Sequence, residues 1–167
     1  MRDDPRAERL RDLYDASYRR LVGQLAAFTG SRTEAEDVVQ EAFVRALTHL
    51  RAFDAADRPE AWLLTVAVNV ARSRWRRAKR FAGLMPDLVP DDHPELGPDR
   101  VALLSALRSL PAAQREAIAL HHLADLSVEQ TAELLDVPVG TVKARLSRGR
   151  AALSALLTDP TEEAHHA

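Results

Sequence analysis

The chain of 167 residues contains no cysteine, which excludes disulfides and thiolate-held zinc and suits a reducing, cytoplasmic setting. It also lacks a long apolar run. The longest, Ala61 to Ala71, is broken by Thr65 and Asn69, and the amino terminus Met1-Arg2-Asp3-Asp4-Pro5 is charged. Neither a membrane-inserted segment nor a signal peptide is expected. No G-x-x-x-x-G-K-[ST] phosphate loop is present, and no group of histidines and carboxylates has metal-ligand spacing. His121 and His122, adjacent on a helix, face different directions. The expectation is therefore a protein that is not an enzyme and takes no metal or other cofactor. Strand signals are nearly absent too: there are no alternating β-branched runs and no Asn-Gly or Asp-Gly hairpin turns. Helical periodicity recurs in nearly every segment instead, so the fold class is all-α.

A formal net charge of −2 argues against a polyanion-binding protein until the charges are placed along the chain. Residues 61–80 carry six basic side chains and no acid, and residues 141–157 carry four and none, whereas 81–140 carry three basic and ten acidic. Because a phosphate responds to charges within about a Debye length, roughly 8–10 Å, two local cationic stripes outweigh the sum. Lysine is scarce: Lys79 and Lys143 are the only two among 23 basic residues, and the arginines that remain suit bidentate phosphate contacts.

The periodicity divides the chain into two small helical domains. Leu10, Leu13, Tyr14, Ser17, Leu21 and Leu25 describe a first helix. Thr33 with Glu36 has the pattern of a capping box, followed by Ala35, Val38, Val39, Ala42, Phe43, Ala46, Leu47 and Leu50 at three- and four-residue steps. The other side of that helix carries Asp37, Gln40, Glu41 and Arg45, which spacing alone describes as a solvated face with one weak ion pair. Phe53 to Pro59 is expected to be a polar loop, with Pro59 at a helix start. The next helix, Glu60 to about Arg80, has an apolar stripe of Leu64, Ala67, Val68, Ala71, Trp75 and Ala78. Pro86, Pro90, Pro94 and Pro98 amid Asp87, Asp91, Asp92 and Glu95 then predict a flexible, acidic, Pro-rich linker over 81–100, separating a domain of residues 1–80 from one of 101–158, with a tail at 159–167. The second domain holds helices over Val101–Leu110 and Pro111 to about Leu123, then a helix-turn-helix. Ser127 and Gln130 form the capping box of its first helix, and Asp136 occupies the turn where glycine is usual.

In the last helix Val139, Val142, Leu146, Leu153 and Leu156 form the predicted buried side, leaving Lys143, Ala144, Ser147 and Arg148 outward. Side chains near the start of such a helix reach base edges in the major groove, while Thr141 and the arginines, Arg145 among them, hold phosphates. The helix Glu60–Arg80 presents Asn69, Arg72, Arg76, Arg77 and Arg80 away from its stripe, a set suited to nucleic acid. Trp62 and Trp75 could stack on exposed bases, although core packing is the simpler reading, and for Trp75, on the stripe, the favoured one.

Ala35-Glu36-Asp37-Val38-Val39-Gln40-Glu41-Ala42-Phe43, Ala61-Trp62-Leu63-Leu64-Thr65-Val66-Ala67-Val68-Asn69-Val70-Ala71-Arg72, and Leu110-Pro111, Gln114-Arg115-Glu116, Leu126-Ser127 and Gly140 to Leu146 together resemble the extracytoplasmic-function bacterial sigma factors, in order, from Leu10 to Leu157. That resemblance implies a promoter-specificity subunit of RNA polymerase. It implies that Asp37, Gln40 and Glu41 dock on core polymerase, and that Trp62, Asn69, Arg72, Arg76, Arg77 and Arg80 serve the minus-ten element. It further implies that the Phe53–Pro59 loop captures a flipped base of the melted non-template strand. Thr141, Lys143, Ala144, Arg145, Ser147 and Arg148 would read the minus-thirty-five element, and an anti-sigma protein is an expected partner. Ser73, Trp75, Ala144 and Gln130-Thr131 depart from the family pattern, the first three at positions that bear on promoter preference. A helix-turn-helix regulator acting alone on duplex DNA, and a protein-binding adaptor, remain alternative readings of the same residues.

Overall fold

A computed structural model of the chain describes residues 4–81 and 97–158. Of the linker expected over 81–100, residues 82–96 lie outside them, as does the tail over 159–167, while Pro98, Asp99 and Arg100 belong to a helix. The chain divides into two compact units, Met1–Asp91 and Asp92–Ala167. The described residues are helical throughout, with no strand among them, as the periodicity predicts.

In the first unit, Asp4 opens helix α1 (Pro5–Thr29) by accepting the Arg6 amide at 2.9 Å, with Pro5 in the first turn, where its missing N–H costs nothing. Gly30, at φ 79°, closes it in the left-handed geometry that only glycine adopts freely. Helix α2 (Arg32–Thr48) follows at once. Its cap is Ser31, whose hydroxyl accepts the Glu34 amide at 3.2 Å. The expected Thr33–Glu36 box is therefore displaced by two residues: Gly30 ends α1 so tightly that the next helix starts earlier, and Glu36 is engaged instead by Arg32 at 3.1 Å.

Helix α3 (Leu50–Ala55) takes Phe53, Asp54 and Ala55 from the segment expected to be a loop, and Pro59 opens α4 (Pro59–Arg80), so the connection is only residues 56–58. The reason is tertiary. Phe53 is 3% exposed and meets Trp62 edge-on at 6.1 Å between ring centres, while Asp54 is held by Arg6 at 3.6 Å and by Arg9. Leu50 accordingly belongs to α3, not α2.

Helices α1, α2 and α4 pack pairwise around Leu21, Leu25, Val38, Val39, Leu63, Val68 and Val70. Buried Ser17 is satisfied by donating to the Leu13 carbonyl at 2.6 Å. Leu47, expected on the apolar face of α2, is 54% exposed, because the buried row ends at Ala46, the last buried residue of the helix.

The second unit contains α5 (Pro98–Ser109), α6 (Ala112–Ile118), a π-helical turn (Ala119–Leu123), α7 (Val128–Leu135) and α8 (Val139–Leu157). The segment expected as one helix from Pro111 to Leu123 thus widens after Ile118. Ala124 donates to the Ala119 carbonyl at 3.0 Å and Leu126 to that of Leu120 at 3.0 Å. Ser127 and Gln130 form the expected reciprocal cap, at 2.9 and 3.0 Å. Asp136 sits at φ 56°, ψ 50°, the left-handed turn required of it.

Val142 and Leu146 anchor α8, but Leu156 is 50% exposed, since residues 154–158 are exposed throughout. The sequence pattern missed Gly149, which is buried. A Cβ there would lie 3.0 Å from Ile118 Cγ1 and 3.2 Å from its Cδ1. The glycine lets α6 approach α8 closely and so fixes α8 on its support.

Gly149→Leu should lower stability by about 1–3 kcal/mol through overpacking, whereas Gly149→Ala should be near neutral because its gain in helix propensity, about 0.5–1 kcal/mol, opposes the contact with Ile118. Chemical denaturation of the two variants checks both.

Candidate nucleic-acid interface

At about 100° per residue, α4 buries Leu63, Leu64, Ala67, Val68, Val70 and Ala71 on one side. The same rotation places Trp62, Asn69, Arg72, Arg76 and Arg80 within roughly 80° of one another on the opposite side. Asn69, Arg76 and Arg80 are exposed, and Arg72 and Trp62 are half-buried. Arg77 lies about 100° from Arg76 around the axis, so it flanks this face without belonging to it. Three arginines on the face, and no acid anywhere over residues 61–80, give it a single sign.

Arg20 of α1 ties down the start of this helix. Its guanidinium holds both oxygens of Glu60, in the first turn of α4, at 2.6 Å each, a fork that raises the arginine pKa through hydrogen bond and charge. Glu60 also sits where the helix dipole favours an acid.

Trp75, expected in the core, is 49% exposed with the Lys79 ammonium 4.8 Å from its ring centre. The stripe it continues is covered as far as Ala71; from Trp75 to Phe81 every residue but Ala78 is exposed. Periodicity reports which side of a helix a residue occupies, not whether a neighbour reaches it.

On α2, Asp37 and Gln40 are exposed and Glu41 is half-buried. Arg45 contacts Glu41 at 2.8 Å, the ion pair anticipated from spacing. Arg74 of α4 adds what sequence could not supply, lying 3.8 Å from Asp37 and 4.0 Å from Glu41. In the sequence it is one more member of a basic run, and only the packing of α4 on α2 separates it from that run.

On α8 the same rotation sets Lys143, Ala144, Ser147 and Arg148 on an outward arc of roughly 140°, opposite Val142, Leu146 and Gly149. Lys143, Ser147 and Arg148 are exposed and Ala144 is half-buried. Thr141 and Arg145 are half-buried on the Arg148 flank of the arc, where they can meet a backbone more readily than a base. The first turn of α8 carries no acid.

The π turn carries two histidines, His121 half-buried and His122 exposed. His121 Nδ1 lies 2.7 Å from the Leu126 carbonyl, a hydrogen bond for the Nδ1–H tautomer, and His122 Nε2 lies 3.4 Å from Arg150. Among the described residues no group of three or more His, Cys, Asp or Glu could hold a metal ion, and no helix is long and apolar enough to cross a membrane.

A cationic helix face in one unit and a helix-turn-helix in the other are the features of a DNA-binding protein. The comparisons with known proteins make the class specific. Residues 13–81 match the model of sigma-70 region 2 and residues 100–153 that of sigma-70 region 4. The ECF RNA polymerase sigma factor SigW of Bacillus subtilis is 30% identical over 164 residues, covering 88% of this chain and 83% of the relative. EcfG of Rhodopseudomonas palustris is 33% identical over 163 residues, with 92% and 87% covered. Among solved structures, the sigma factor RpoE of Bartonella quintana, co-crystallised with the anti-sigma factor NepR, superposes with TM-score 0.71 at 29% identity over 89% of this chain and 98% of that one. CnrH, solved with the cytosolic domain of CnrY, gives TM-score 0.61 at 30% identity over 89% and 86%. The chain belongs to the extracytoplasmic-function RNA polymerase sigma factors, subunits that direct transcription initiation at specific promoters.

His122 is pushed below the ordinary imidazole range, first by burial, then by His121 and Arg150. A histidine that binds its proton more weakly folded than unfolded leaves stability unaffected above the unfolded value of 6.5 and lowers it as pH falls through that value. The thermal midpoint should therefore drop as pH is lowered from about 7 to below 6, and His122→Gln should reduce that slope relative to the parent chain.

Proposed function

We propose that the two units divide the work of a sigma subunit between polymerase docking with minus-ten capture in residues 1–80 and minus-thirty-five recognition in residues 101–158. Asp37, Gln40 and Glu41 dock on core RNA polymerase. Trp62, Asn69, Arg72, Arg76 and Arg80 engage the melted non-template strand, with Arg77 on the flank. The short connection of residues 56–58, not the whole Phe53–Pro59 segment, takes the flipped base. Lys143, Ala144, Ser147 and Arg148 face the bases of upstream duplex, and Thr141 and Arg145 its backbone.

The observation that carries this reading is the pair of acid-free cationic faces on α4 and α8, one in each unit, together with an opposite-sign face on α2. A regulator acting alone on duplex DNA would need the second face but neither of the others. The relatives solved with an anti-sigma factor or with the cytosolic domain of CnrY support an anti-sigma protein as a further partner. The reading places the protein in the cytoplasm with the polymerase and gives it no catalytic step of its own.

Opening about ten base-pair steps at roughly 1.4 kcal/mol each costs on the order of 14 kcal/mol. Without nucleotide hydrolysis this must be offset by captured bases, phosphate contacts and polymerase surfaces, so the isolated chain should melt DNA hardly at all.

Run-off transcription with core polymerase on a promoter library tests the reading. Specific initiation that depends on the added chain is expected; none, together with specific duplex binding by the chain alone, would favour the stand-alone regulator. Lys143→Ala with Arg148→Ala should weaken recognition of upstream duplex by about 1–3 kcal/mol for each side chain that reads a base, without altering association with core polymerase. Glu41→Ala should do the reverse, weakening association with core while shifting stability by less than about 1 kcal/mol, since its partners Arg45 and Arg74 can be solvated at the surface.

A further inference from the structure

We propose that Trp75 is a base-stacking residue: its exposed indole, set against Lys79 at the cationic end of α4, takes an unpaired nucleobase of promoter DNA. The proposal rests on the assignment of α4 to the melted strand and adds an interaction at a residue which that assignment does not use.

A single exposed apolar side chain is ordinary on a protein surface, and exposure alone would carry nothing. What distinguishes Trp75 is its surroundings. Lys79, Arg72 and Arg76 lie within about 100° of it around the axis of α4, Lys79 and Arg76 exposed, with no acid anywhere in residues 61–80. The Lys79 ammonium lies 4.8 Å from the ring centre, a cation–π contact that orients the indole while 49% of the residue stays in solvent. An oriented aromatic plane among cations matches a ligand that offers π faces and phosphates together, which is the chemistry of single-stranded nucleic acid. The same charge disfavours a basic peptide, and a neutral apolar partner would leave the arginines desolvated without compensation.

Position agrees with chemistry. Trp75 lies about 60° around the axis from Arg72 and about 100° from Arg76, so it flanks the face that carries Asn69 on the side where the apolar stripe emerges uncovered. It is six residues beyond Asn69, about 9 Å along the axis at 1.5 Å per residue, a distance spanned by two or three successive nucleotides at 3.4 Å or more each. A strand held at Asn69 and followed by the arginines can therefore bring a neighbouring base to the indole. Duplex DNA cannot, because its bases are stacked on one another.

The test uses the full chain assembled with core polymerase and compares two labelled DNA probes, a fully paired promoter fragment and a fork whose minus-ten segment is unpaired. Trp75→Ala should weaken binding to the fork about 5- to 150-fold and to the paired fragment no more than about twofold. Trp75→Phe should retain most of the fork affinity, and Trp75→Leu, which keeps an apolar side chain without a π face, should not. Association with core polymerase should be unchanged in all three. Fork binding by Trp75→Ala equal to that of the parent chain overturns the proposal. So does full activity of Trp75→Leu, or a loss confined to association with core, either of which would mark a protein-facing role. A parent holoenzyme with no preference for the fork would instead overturn the assignment of α4 to the melted strand, and the stacking role with it.

Discussion

Packing of α4 on α2 is the constraint from which the rest of the first unit follows. One helix has to bury Leu63, Leu64, Ala67, Val68, Val70 and Ala71 and still present a polar, cationic surface. A period of 3.6 residues lets both demands be met without compromise, because side chains four and seven apart return to the same side. The fork between Arg20 and Glu60 adds a polar tie at the start of the helix. Because the buried stripe continues without a break from Leu63 to Ala71, turning the helix to expose a different face would bring the core residues into water. The direction of the functional face is thus set by hydrophobic burial, with the charged residues following.

Elements whose signals are local were legible in the sequence. The Ser127–Gln130 cap, the left-handed Asp136, Pro59 at a helix start and the buried row Ala35, Val38, Val39, Ala42, Phe43 and Ala46 all depend on residues within a turn or two of each other. Elements set by distant neighbours were not. Helix α3 exists because Phe53 meets Trp62 and Asp54 meets two arginines of α1, partners nine to 48 residues away. The π turn after Ile118 and the close approach at Gly149 likewise depend on how two helices meet, which spacing within one helix cannot express. Trp75 and Leu47 show a related failure, since both lie on the right stripe beyond the reach of the helices that would cover it. The composition of the cationic faces was plain from the sequence, but their outline was not: Arg77 drops to a flank, and Arg74 leaves the face altogether for α2.

That displacement of Arg74 has consequences for the acidic face. Asp37 and Glu41 face a cation of α4, and Glu41 another of its own helix. Such exposed pairs contribute about 0–1 kcal/mol each, so they orient carboxylates without committing them. A partner with basic groups can displace Arg74 at little cost, and the arginine released is already on the helix that carries the cationic face. The net charge of −2 makes sense in the same terms. The acids outside the two stripes oppose indiscriminate attraction to DNA, leaving affinity to depend on both faces being engaged together.

Weak individual interactions are what a subunit of this kind requires. An isolated chain that bound promoter DNA tightly through either face would be sequestered on nonspecific sites, which outnumber promoters in any genome by many orders of magnitude. Tethering the two faces within one chain converts the second engagement into an intramolecular event, so modest affinities multiply only where both targets lie at the right separation. In the proposed division of work, the opposite-sign face on α2 would add a third condition, docking on a protein surface, before the first unit could hold an opened strand. Selectivity then comes from the conjunction of three marginal interactions, and the all-helical scaffold serves it by keeping each interaction on its own rigid face.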